Sequence, residues 1–86
     1  MSDLVAEACG RLGKAEAEKA LRAIGRFLEH RARVAAAPGR VAPVYARPMS
    51  EQLTIEATRR ARLDDKSWIV WSAYAELARR EERRLS

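Results

Sequence analysis

Trp68-Ile-Val-Trp-Ser-Ala-Tyr-Ala-Glu-Leu-Ala78 is the stretch on which the fold turns. Wound as an α-helix, it leaves Ser72 and Glu76, four residues apart, as its polar stripe, so the rest of its circumference requires apolar cover. The chain has 86 residues, near the size at which one core is only marginally sufficient. The C-terminal helix is therefore expected to be a packing centre that shares part of its surface with another protein chain. Trp68, Ile69, Trp71, Tyr74 and Leu77 are the side chains expected at that interface.

Composition narrows the setting. Apolar residues make up 48% of the chain, too many for a disordered segment, and 34% charged residues argue for a solvated surface. No apolar run approaches the roughly 18 to 20 residues of a membrane span. Asp3 stands where a signal peptide carries basic residues, and a cytoplasmic protein is expected. Cys9, the single cysteine, excludes an intrachain disulfide and suits a small buried hydrophobe beside Val5, Ala8 and Leu12. The formal charge of +5 is carried mostly by arginine, whose planar fork matches phosphate and carboxylate.

Two helical halves and a joint follow from the pattern, giving a mainly α, small single domain. In the first half, residues 3 to 36, Leu4, Val5, Ala8, Cys9 and Leu12 recur at helical spacing. Ala20, Leu21, Ile24, Phe27, Leu28 and Val34 or Ala35 continue the period. Ser2 or Asp3 is placed to cap the start, and a break or bend is expected near Gly10 to Gly13. Without a break, this helix would span on the order of 50 Å at about 1.5 Å per residue. Pro38, Gly39, Pro43 and Pro48 then exclude a continuous helix through residues 37 to 49. No acid falls between Glu29 and Glu51, so this extended joint, with Arg40 and Arg47, is basic.

The second half, residues 50 to 86, holds two further helices. Ser50-Glu51-Gln52-Leu53 reads as a helix start, and Leu53, Ala57 and Ala61 with Arg59, Arg60 and Arg62 fit a helix with one basic face. Gln52 to Thr58 also alternates polar and apolar residues with three β-branched side chains, a strand pattern; the helical reading is the stronger, and one short strand stays open. Asp65 or Ser67 is placed to cap the last helix, which should run to about Arg83 or Arg84.

No constellation carries enzyme chemistry, and neither cofactor nor metal is expected. His30 is the single histidine, and Glu29 beside it points elsewhere on a helix. Gly10 and Gly13 follow no strand and precede no Lys-Ser/Thr pair, so they do not form a phosphate loop.

From Ser67 onward, Ile69, Val70, Ala73, Tyr74, Leu77 and Ala78 resemble the second helix of ribbon-helix-helix DNA-binding proteins. The resemblance covers residues 41 to 80 and implies a dimer, a strand over Val41 to Arg47 and a first helix over Ser50 to Leu63. It assigns base reading to side chains alternating among Val44, Ala46 and neighbouring Arg47 or Tyr45, and phosphate binding to the N–H groups of Ser67 and Trp68. Departures are Pro43 and Pro48 at the ribbon, no glycine in the inter-helix turn, and Asp64 and Asp65 where phosphate would dock. Separately, Leu12-Gly-Lys-Ala-Glu-Ala-Glu-Lys-Ala-Leu-Arg-Ala-Ile24 resembles the start of the second helix of HU-type histone-like proteins.

Two functions are therefore expected in competition. The first is a non-enzymatic helical module or small subunit, self-associating or docked on another protein through residues 68 to 78. The second is a small dimeric nucleic-acid factor holding phosphates with Arg40, Arg47, Arg59, Arg60 and Arg62. A second protein chain is the partner of the first, nucleic acid of the second, and a membrane of neither.

Overall fold

The computed structural model describes residues 3–36 and 47–85, with side chains through Val34 in the first segment. Four helices account for it: α1 (Asp3–Leu12), α2 (Lys14–Ala36), α3 (Met49–Arg62) and α4 (Trp68–Leu85). The mainly α expectation is met, and residues 52 to 58 are helix. No strand occurs among the described residues. Ser2, Pro38, Gly39, Arg40, Pro43, Val44, Tyr45 and Ala46, singled out above, lie outside them.

The break foreseen in the first half falls at Gly13. Its φ of +88° is left-handed, a conformation that costs an L side chain roughly 1 to 2 kcal/mol. One residue thereby closes α1 and opens α2, whose first bond runs from the Ala17 N–H to the Gly13 carbonyl at 2.9 Å.

The turn between α3 and α4 solves the same problem without glycine. Asp64 takes φ +62°, its N–H donates to the Ala61 carbonyl, and the Asp65 N–H reaches back to the Arg60 carbonyl at 2.9 Å. This pair of bonds is a Schellman ending with aspartate at the left-handed position, which Asp tolerates better than most residues. Asp65 then starts α4: its carboxylate accepts the Ser67 N–H at 3.0 Å and its other oxygen takes Arg60 at 3.1 Å. Of the two expected caps, Asp65 is the one whose side chain caps.

α3 and α4 form an antiparallel hairpin, and α1 and α2 pack on α4 from the other side. Val5 and Ala8 of α1, Ala20 and Ile24 of α2, and Leu53 and Ala57 of α3 converge on Val70, Trp71, Ala73 and Ala75. Trp71 lies at the centre, 1% exposed, its ring centroid 5.5 Å from that of Phe27 in a T-shaped pair and the Arg60 guanidinium 4.5 Å over its face. Cys9 packs half-buried against this core. The C-terminal helix is thus the packing centre, but its cover comes chiefly from α3 and the first-half helices, so an external surface is not required to bury Trp71.

At the far end of the hairpin a polar tie joins three helices. Glu82 accepts both the N–H of Ser50 (3.0 Å) and its hydroxyl (2.6 Å), capping the start of α3 from the end of α4. Arg31 of α2 donates to the Gln52 side-chain oxygen and, at 2.7 Å, to the Arg47 carbonyl. The two Ser50 donations, with Arg79 and Arg31 nearby, hold the Glu82 carboxyl below its ordinary range.

Candidate interaction surface

The five side chains expected at an interface separate into two groups. Trp71 is a correction: its ring is consumed by this chain's own core, so it cannot anchor a partner. Ile69, Tyr74 and Leu77 are half-buried and lean on the same core. Trp68, 40% exposed, is the one that stands out. Helical geometry explains the split, since positions three apart differ by about 60° around an axis with 3.6 residues per turn.

Trp68 has company that the sequence reading passed over. Ile55, on α3, is 43% exposed, and Leu63, at the C-cap of α3, is 66% exposed. They border a shallow depression with Thr58, Arg59 and Arg62. Thr54 and Thr58 also line an adjoining groove between α3 and α4, floored by Ala57, Ala61, Ser72 and Ala75, which Trp68 and Arg79 border. The two depressions share those threonines and form one continuous surface. A third hollow, between α1 and α4, meets Trp68 and Ser72 from the opposite side. Ser72 is accordingly half-buried in a groove, and Glu76 is gathered into ion pairs with Arg79, Arg80 and Arg83. Of the polar stripe, Ser72 sits in a groove and Glu76 lies among exposed arginines of its own helix.

The signal for Ile55 was present in the sequence as the strand-like alternation of residues 52 to 58. On the helix that forms, Leu53 and Ala57 face inward, Ile55 faces out, and the alternation records an apolar residue on the wrong side of α3 for the core.

The arginines expected on phosphate also divide. Arg60 is a correction: its side chain is 24% exposed, stacked on Trp71 and paired with Asp65 at 3.1 Å and Glu56 at 3.7 Å. α3 therefore has no single face containing Arg59, Arg60 and Arg62. Arg59 is exposed and 3.4 Å from Glu56; Arg62 is exposed and has no ion pair among the described residues. Arg47 lies 3.5 Å from Glu51, at the start of α3. Arg40 lies outside the described residues.

The backbone N–H groups that the ribbon-helix-helix resemblance assigns to phosphate are already engaged. Ser67 donates to the Asp65 carboxylate, and Trp68 donates to the Asp65 carbonyl at 3.2 Å. A phosphate there would displace a carboxylate. That carboxyl is held below its ordinary range first by the Ser67 N–H, with Arg60 adding to the effect.

Among the described residues, no group of three or more His, Cys, Asp or Glu is placed to hold a metal ion, and no helix is long and apolar enough to cross a membrane. The chain matches no protein-family model, no curated protein and no solved structure.

Proposed function

We propose that this protein is a non-enzymatic helical interaction module, a small subunit or adaptor, that docks through the outer face of the α3–α4 hairpin. The observation that carries this reading is the exposure of Ile55, Leu63 and Trp68 on one continuous surface while Trp71, three residues from Trp68, is fully enclosed. Singly exposed apolar side chains are ordinary, but three bordering two adjoining depressions that share Thr54 and Thr58 are the arrangement of a binding face. Exposed tryptophan is also the residue type most often found as an energetic anchor in protein interfaces. The core is complete without a partner, so docking adds to a formed fold.

The competing reading, a nucleic-acid accessory factor, keeps Arg59 and Arg62 on that same face and loses Arg60 to the core. The apolar anchors favour protein. The test combines solution mass by light scattering with recovery of bound protein from the native cell, for the wild-type chain and for a Leu63→Glu, Trp68→Ala double variant. The module reading expects self-association or a retained protein in the wild type, and loss of both in a variant of unchanged helicity. Equal mass and equal recovery in the two would overturn it. Retention on DNA with a steep negative salt dependence, abolished by charge reversal at Arg59 and Arg62, would favour the competitor.

A further inference from the structure

We infer that the occupant of the outer α3–α4 face is an amphipathic helix of a different protein, bordered by carboxylates along its apolar seam; this rests on the interaction-module reading above. Spacing supplies the first argument. Ile55 and Leu63 lie eight residues apart on or just beyond α3, about 12 Å at 1.5 Å per residue, which matches side chains two turns apart on an incoming helix. Trp68, on the adjoining α3–α4 groove that shares Thr54 and Thr58 with their depression, is a third anchor. The small floor residues Ala57, Ala61, Ser72 and Ala75 permit close approach of a helix axis.

Charge supplies the second and separates the possible occupants. Arg59 and Arg62 border the anchors on α3, Arg79 borders the inter-helix groove, and no acidic side chain lines either depression. The carboxylates paired with Arg59 and Arg79, those of Glu56 and Glu76, stand outside that lining. A second copy of this chain, docked face to face about a two-fold axis, would set this arginine-bordered surface against itself. A nucleic acid would meet the arginines and leave Ile55 and Leu63 against a charged backbone. An acidic amphipathic helix covers the anchors and presents carboxylates to the guanidinium forks.

The test uses the full chain and two synthetic amphipathic helices that share one leucine seam, one bordered by glutamates and the other by lysines. Binding is read by fluorescence anisotropy at about 50 mM salt, where charge contacts are weakly screened. The glutamate peptide is expected to bind at least about tenfold more tightly than the lysine peptide, and Arg59→Glu with Arg62→Glu should reverse the order. Equal binding of both peptides, lost on Trp68→Ala, would overturn the acidic-partner inference and leave the module reading standing. A wild-type dimer that Trp68→Ala dissociates, with neither peptide bound, would give the face to a second copy and overturn the inference alone. A monomer that binds neither peptide, or binds a DNA duplex more tightly than the glutamate peptide through Arg59 and Arg62, would overturn both.

Discussion

The inner and outer sides of the α3–α4 hairpin carry one tryptophan each, and they are built to opposite rules. On the inner side Trp71 is enclosed by Phe27, Arg60 and the small side chains around it, so its contribution belongs to the fold. On the outer side Trp68 is 40% exposed and borders the α3–α4 groove, next to the depression that Ile55 and Leu63 border. Two residues of one type, three positions apart, thereby sit in opposite surroundings, and on the proposed function they separate stability from docking. A helix that looks apolar on almost every side need not be shared on every side.

Truncating each ring in turn separates the two sides by the largest effect. Trp71→Ala should cost about 3 to 5 kcal/mol of unfolding free energy, a large share of the total for a chain of this size, as checked by denaturant titration. Trp68→Ala should instead lower partner affinity by about 2 kcal/mol or more, checked by titration calorimetry with the recovered partner.

Smaller effects test the turns that set the two sides apart. Gly13→Ala forces a side chain into the left-handed region and should destabilise by roughly 1 to 2 kcal/mol, seen as a lower thermal midpoint. Asp64→Gly removes the corresponding strain and should stabilise the hairpin turn by up to about 1 kcal/mol; a loss would show that the aspartate side chain matters more than its backbone geometry.

The smallest expected effect is the pH response. Asp65 and Glu82 are both more acidic in the fold than in the unfolded chain, so as pH falls the unfolded chain takes up protons first. Their contribution is complete above the ordinary carboxylate range and is lost as pH drops through about 4 and below. Glu82→Gln should flatten part of that acid limb in a series of melts between about pH 5 and pH 2.

Much of the fold was legible because helical periodicity is a local property. Leu4, Val5, Ala8 and Leu12, then Ala20, Ile24 and Phe27, placed α1 and α2, and Gly10 to Gly13 bracketed the break. What the sequence concealed depends on how helices face one another. Arg60 reads as a third member of a basic face until α3 packs on α4 and Trp71 receives its guanidinium. Asp64 reads as misplaced charge until its φ shows it in the position glycine usually fills. Ser50 reads as a local cap, yet it is itself held by Glu82, 32 residues away. The outer face was half legible: Trp68 was singled out, whereas Ile55 was absorbed into a possible strand and Leu63 into the end of a helix.

One side-by-side measurement on Trp68→Ala decides between docking, the role proposed for its ring, and folding. Its unfolding free energy should stay within about 1 kcal/mol of the wild type while its affinity for the recovered partner falls by about 2 kcal/mol or more. A variant that loses several kcal/mol of stability and keeps its partner affinity would contradict the docking role.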